Sequence, residues 1–283
     1  MSLQKQLDEF VKFLKSQSRA SATIIAYSKD ISQIIAYLEK EQKTSWQEAT
    51  TEDLQGFLDG LSKQGYTPKS ISRKINSIKT FFRFLISQKS LDNNPATAII
   101  HPKFDTKTPR ILSGIEYRAL RDACREDVRV SAVVELLLQT GMRIGELAAL
   151  TLESVKKDAV TVPPVENHET RDVPLNHAVS FAIEAYLAIR PKVKSSALFI
   201  TKTGRPFLIR NIRTSIDRYF KQAGIKDAKV NDLRHTFIAY HLASGASPVL
   251  ISKLVGHKRI STTEKYLDYI KDLPLEKVKL EEL

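Results

Sequence analysis

Cysteine is almost missing from this chain: Cys124 stands alone among 283 residues. A lone thiol excludes a disulfide within the chain and any zinc site built on several cysteines. There is no signal-peptide pattern and no apolar run of about 18 residues, so neither secretion nor membrane spanning is expected, and the protein reads as cytoplasmic. The chain lacks G-x-x-x-x-G-K-[ST], which argues against a nucleotide-driven motor, and H-E-x-x-H, which argues against that zinc site. No clustered carboxylate triad supports two-metal nuclease chemistry. Negative charge is short as well: 44 Lys+Arg against 32 Asp+Glu leave a formal net charge of +12. A basic surplus spread along the chain points to a polyanion. Nucleic acid comes ahead of a membrane surface, because no basic amphipathic anchor accompanies the charge.

The length suits about two domains of roughly 150 residues each. Residues 1–90 read as four helices. Their apolar stripes are Leu3, Leu7, Phe10, Val11 and Leu14; Ile24, Ile31, Ile34, Ile35 and Leu38; Leu54, Phe57, Leu58 and Leu61; and Ile71, Ile75, Ile78, Phe82 and Leu85. The rest of the fourth helix carries Lys69, Arg73, Lys74, Lys79 and Arg83, which suits either a solvated face or a phosphate-binding one. Residues 91–110 hold three prolines and little periodicity, the composition of a linker. A second domain then covers 111–283. Ser113 and Glu116 form a capping box, Val128 to Leu138 is a helix apolar on most sides, and helices are expected at about 177–189 and 209–223. Ala159–Val162 and Arg171–Leu175 read as a β-hairpin, so the fold class is mainly α with a small β element.

The densest stretch runs from Asn231 to Tyr269 and reads as three short helices. Asp232 can cap the first and Gly245 close it; Ser247-Pro248 opens the second and Gly256 stops it; Ser261 with Glu264 opens the third. Asn231 and Arg234 lie three apart, close enough to meet one ligand. His257 follows the glycine stop, where carbonyl ends favour a cation. Tyr266 lies about one turn into the third helix. Upstream, Thr140-Gly141-Met142-Arg143-Ile144-Gly145-Glu146-Leu147 places Arg143 three residues before Glu146.

These two blocks resemble the tyrosine recombinases, the integrase and Xer group. That family has T-G-x-R-x-x-E-L, then His-x-x-Arg-His, then Leu-Gly-His, with Tyr nine residues later. Here N-D-L-R-H and V-G-H stand in that order, and nine residues separate His257 from Tyr266. The resemblance implies a helical core-binding domain that clamps DNA (1–90) joined to a catalytic domain (111–283). It also implies strand cleavage through a 3′-phosphotyrosine, with neither ATP nor metal required. Arg143, Arg234, His257 and Tyr266 would be catalytic, and Asn231, Lys69, Arg73 and Lys74 would contact DNA. Two arginines can grip the phosphate oxygens bidentately and stay ionised. Tyr266, ordinarily titrating near 10, needs those cations to become a nucleophile. The partners implied are double-stranded DNA and further copies of the chain: a dimer on a site and a tetramer in synapsis. By the same resemblance a charged tail from Leu273 to Leu283 would dock on a neighbouring protomer, whereas its residues alone read equally as a frayed end.

Two positions depart from the family. Asn231 replaces the usual first histidine and cannot shuttle a proton. Glu166 stands where the family's hairpin has the lysine that protonates the leaving oxygen. No lysine occurs between Lys157 and Lys192, so Lys157 or His168 is the expected source. His235 and His241 read as structural, and Glu146 as a residue that positions an arginine or a histidine. A type IB topoisomerase and a non-catalytic DNA-binding protein on the same fold are the competing readings. Within recombination, the role is either chromosome-dimer resolution or mobile-element integration.

Overall fold

The apolar stripes of the first ninety residues become four helices, α1 (Leu3–Ser16), α2 (Ser21–Lys40), α3 (Thr51–Lys63) and α4 (Pro68–Ser87). The structure is a computed structural model that describes residues 2–105, 108–165 and 168–271. Pro68 takes the first helical position of α4, where its missing N–H costs nothing, and Thr67 accepts from the Ser70 N–H. Thr50 and Asp53 cap α3 reciprocally. The four stripes meet around Trp46, whose ring lies 4.6 Å from that of Phe81 and 5.7 Å from that of Phe82. Its indole N–H donates to the Leu3 carbonyl at 3.2 Å, so burial leaves no polar group unpaired.

Lys74 departs from its expected place among the DNA-facing cations. Its ammonium is buried, 2.8 Å from Asp30 Oδ1 and 2.5 Å from Gln33 Oε1. The phase of the helix explains this: residues 71, 74, 75 and 78 follow the i, i+3, i+4, i+7 rule and share the inward face. Asp30 also receives both Arg73 guanidinium nitrogens, at 2.6 and 2.9 Å, and the Ser77 hydroxyl at 2.9 Å. Lys69, Arg73 and Arg83 are exposed on the outer face of the same helix. Ala96 and Ile99 are buried in this bundle's core, so the first part of the stretch read as a linker packs on the bundle. By compactness the chain divides into Met1–Thr106 and Lys107–Leu283.

The second unit contains α5 (Gly114–Cys124), α6 (Val128–Thr140), α7 (Ile144–Ala148), β1 (Ala159–Val162), β2 (Arg171–Pro174), α8 (His177–Ile189), α9 (Ile209–Gln222), α10 (Val230–Ala243), α11 (Pro248–Val255) and α12 (Ser261–Ile270). Helix α6 is its axis: apolar nearly all round, it is packed against by α5, α8, α9 and α10. The two strands pair antiparallel, with Ala159 opposite Pro174 and Val162 opposite Arg171. Leu233, Phe237 and Tyr240 of α10 are buried as their spacing required.

Two expected caps are displaced. Helix α10 starts one residue before Asn231, so Asp232 sits inside its first turn and accepts from the Lys229 N–H at 2.7 Å. Ile260, before α12, already has helical angles, φ −57° and ψ −35°. The chain therefore enters α12 as a continuous turn, with no extended residue at which a Ser261–Glu264 box could close. Among the described residues, no helix is long and apolar enough to cross a membrane. The tail from Leu273 to Leu283 and Glu166 of the hairpin loop lie outside the described residues.

Candidate active site

The site begins at two left-handed glycines. Gly141, φ +61°, ends α6, and a Cβ there would drive into the Phe237 ring. The turn it permits aims the Gly141 carbonyl at α10, where Arg234 Nη1 donates to it at 2.6 Å. Gly256, φ +68°, ends α11, and a Cβ there would come within 2.8 Å of Arg171 Nη1. Its carbonyl accepts from Arg143 Nη2 at 3.3 Å. The two helix stops thus position the two arginines that the sequence singles out.

Glu146 holds the arrangement together. Fully buried, it accepts from Arg143 Nη1 at 3.0 Å and the Arg143 backbone N–H at 2.8 Å. It also takes the Arg171 guanidinium bidentately, at 3.0 and 2.8 Å. Burial works against its charge, but the hydrogen bonds from Arg171 and Arg143 and the charges of both arginines outweigh it and bring its carboxyl down to about 2. Arg143 is the residue just before α7 rather than part of it, which lets its backbone and side chain both reach Glu146.

Arg234 is 5 % exposed, and its Nη2 has no hydrogen-bond partner among the described residues. Burial and the nearby Arg143 charge push its guanidinium down to about 9, which still leaves it a cation near neutral pH. A buried N–H donor without a partner calls for an explanation, and here the neighbouring Arg143 and Tyr266 make an acceptor from outside a fitting one.

His257 lies on the turn after Gly256, with Nδ1 2.7 Å from Thr263 Oγ1. When the hydroxyl donates to Nδ1, the ring proton sits on Nε2; when Nδ1–H donates, Nε2 carries the lone pair. Burial and the Arg234 and Arg143 charges depress this imidazole to about 4. The helix end was expected to favour a cation here; desolvation and the two guanidiniums override it, and His257 is a neutral imidazole.

Tyr266 is buried beside these groups. Burial raises its phenol to about 12, against the opposing pull of Arg234. Its hydroxyl is 2.5 Å from His235 Nδ1, and His235 Nε2 is 2.7 Å from the Asn231 side-chain amide. Asn231 is exposed at the start of α10. His168, Arg171, His257 and Lys258 line one open cavity of about 580 Å³. Lys157 is exposed in the turn before β1 and is not among that cavity's walls. His241 is held neutral by burial, down to about 4, with its ring 4.1 Å from that of Phe237.

Arg143, Arg234, His257 and Tyr266 are therefore drawn into one place, whereas Lys69 and Arg73 lie on the N-terminal unit. Sequence reasoning missed two residues of the site. Arg171 could have been found from period 2: it shares a strand face with buried Val173, so its charge points inward and needs a partner. His235 stands four residues after Asn231, one turn along the same helix, and its partner on α12 became visible only in three dimensions.

An arginine pair, a neutral histidine and a buried tyrosine thus surround an unfilled donor. The chain belongs to the phage integrase family: residues 110–271 match that family, and residues 7–89 match the phage integrase N-terminal SAM-like domain. It is 31 % identical to tyrosine recombinase XerD of Oceanobacillus iheyensis, over 93 % of each chain. It is 29 % identical to tyrosine recombinase XerC of Roseiflexus castenholzii, over 93 % of this chain and 88 % of the relative. The fold is similar to that of a lambda integrase dimer bound to a COC′ core site, with TM-score 0.76, 19 % identity, and 93 % and 97 % of the two chains covered. It is also similar to XerA recombinase, with TM-score 0.54, 26 % identity and 93 % of each chain covered.

Proposed function

We propose that this protein is a site-specific DNA recombinase of the Xer type, which cuts and rejoins DNA strands through a 3′-phosphotyrosine. The observation that carries the reading is the unpartnered, buried Nη2 of Arg234, whose charge acts on the Tyr266 phenol. A scissile phosphate supplies the missing acceptor. Arg143 and Arg234 take its non-bridging oxygens, and the Nε2–H of His257 adds a third donor. These fixed donors stabilise the charge that grows as Tyr266 Oη bonds to phosphorus. The P–O5′ bond breaks, and reversal on another 5′-hydroxyl completes an exchange that needs no external energy.

Membership of a recombinase family, with XerC and XerD among the relatives, favours recombination over simple relaxation. Lambda integrase has been solved as a dimer on a core site and as a tetramer on a Holliday junction. The same assembly is proposed here: two protomers on a site and four in synapsis. Lys69 and Arg73 would contribute phosphate contacts from the N-terminal unit, without Lys74. Resolution of chromosome dimers in the cytoplasm, at the nucleoid, is the role that the Xer relationship supports.

The test is covalent capture. On nicked suicide duplexes carrying the protein's own site, mapped from genomic DNA, the wild type should become attached to the 3′ end. Tyr266→Phe should bind with unchanged affinity and give no adduct. Binding by the wild type without attachment on such substrates would leave a DNA-binding protein only. Relaxation of supercoils with no product from two sites would indicate a topoisomerase.

The leaving 5′-oxygen needs a proton, and His168 is the better placed of the two expected donors because it shares the His257 cavity. Burial and the Arg143 charge keep it neutral at rest, and an arriving phosphate favours its protonated form. His168→Ala should slow cleavage about 10²-fold or more on ordinary DNA. It should recover on DNA with a bridging 5′-sulfur, whose thiolate leaves without a proton, while Lys157→Ala changes neither rate. Failure of the sulfur substrate to rescue His168→Ala removes this assignment.

A further inference from the structure

The nucleophile must lose a proton, and the residues that stabilise the phosphate cannot take it. Arg143 and Arg234 are cations, and His257 is hydrogen-bonded through Nδ1 to Thr263 rather than to Tyr266. Glu146 is occupied by two arginines. Among the described residues, the only hydrogen-bond partner of the Tyr266 hydroxyl is His235 Nδ1, at 2.5 Å. We infer that His235 is the general base for Tyr266, and that Asn231 sets the tautomer that allows it. This rests on the reading of Tyr266 as nucleophile.

The tautomer follows from donor and acceptor bookkeeping. The amide of Asn231 can present either its nitrogen or, turned by 180°, its oxygen to His235 Nε2, 2.7 Å away. If the nitrogen donates, the imidazole proton must sit on Nδ1, and the buried phenol O–H faces another donor with no acceptor of its own. If the carbonyl oxygen accepts from Nε2–H, Nδ1 has a free lone pair and the phenol donates to it. Only the second arrangement satisfies all three groups. It is also the productive one. As Oη bonds to phosphorus, its proton passes to Nδ1, the P–O5′ bond breaks, and the leaving oxygen is protonated from the other side of the phosphate. His235 is left as an imidazolium donating to Asn231 and to the phosphotyrosine oxygen, and it returns the proton when the step reverses. Asparagine therefore serves at position 231 without moving a proton itself.

The charged and titratable groups acting on this ring are Asp232 and Arg234 on its own helix, Tyr266 on α12 and His257 on the turn before α12. Burial and Arg234 favour the neutral ring, against Asp232. A neutral ring is the form a base requires.

The experiment is single-turnover cleavage of a suicide duplex from pH 6 to 10 by wild type, His235→Ala and His235→Gln, with DNA affinity and thermal melting as controls. Glutamine keeps the bulk and a hydrogen bond to the phenol but cannot accept its proton, so it isolates proton transfer from packing. At pH 7 both variants should fall about 10²-fold or more with affinity held. Their rates should climb about tenfold per pH unit where the wild type has levelled off, since hydroxide then does the work of the missing base. Imidazole should restore part of the His235→Ala rate. Cleavage by His235→Gln as fast as wild type or faster would mean the contact only parks the hydroxyl at rest. A loss of equal size at every pH, unmoved by imidazole, would mean a packing role. Either result overturns the assignment, whereas absence of a wild-type adduct would instead overturn the nucleophile reading.

Discussion

Arg234→Met should lower strand cleavage by about 10³-fold or more while leaving the protein at least as heat-stable as wild type. The loss would follow from the position of the guanidinium: Nη1 is tied to the Gly141 carbonyl, which fixes Nη2 where, on the proposed reading, a phosphate oxygen would meet it. Methionine fills the same stem volume and offers no donor. The stability effect follows from the same facts. A buried cation with a donor unsatisfied, and with Arg143 and Arg171 nearby, is disfavoured in the folded state without DNA. Replacing it with an apolar side chain should raise stability by about 1 kcal/mol, or roughly 2–4 °C in Tm for a domain of this size. Calorimetry and single-turnover cleavage on one preparation decide the matter. A large fall in Tm would mean that Arg234 is mainly structural.

Glu146→Gln should act with the opposite sign on stability. It removes the one carboxylate that compensates Arg143 and Arg171, leaving two guanidiniums around a neutral amide that cannot accept from all of them. Breaking a buried pair from one side costs about 3–5 kcal/mol, which corresponds to a drop in Tm on the order of 10 °C. The pH dependence has a definite direction. The folded-state value, about 2, lies below the ordinary 4.5, so the stabilisation is complete above pH 4.5 and is lost as pH falls toward 2. The gap in stability between wild type and Glu146→Gln should therefore narrow over that range and be constant above it. A gap that stays the same down to pH 2 would mean that the carboxylate's charge is not what matters. Arg171 acts through the same carboxylate, and its Nε holds the Leu254 carbonyl at 2.6 Å. Through it, β2 is tied to the helix end that presents His257.

Arg234 thus has a donor left open, whereas the Glu146 carboxylate is closed by two arginines. In the free protein Arg143, Arg171 and Arg234 bring more positive charge than Glu146 can offset. DNA would supply the remaining negative charge, so cognate duplex should stabilise the catalytic unit well beyond what Lys69 and Arg73 contribute by surface attraction.

What the linear order of residues determined by itself is the set of elements and the identity of the chemistry. Apolar spacing marked α1 to α4 of the N-terminal unit, and alternation marked the pair of strands. Glycine stops at 245 and 256 marked turns that do adopt left-handed angles. Those signals are local: each depends on a residue and its neighbours within a turn or two. Tertiary structure decided what local patterns do not encode, namely which charges are buried and which side chains meet. Lys74 turned inward because helical phase placed it beside Asp30 of another helix. Arg171 crossed from the hairpin to Glu146, 25 positions away in sequence. His235 met Tyr266 across 31 positions. The ionisation of His257 was decided in the same way, because desolvation and the field of two arginines depend on distances through space and can reverse what a helix end alone would favour.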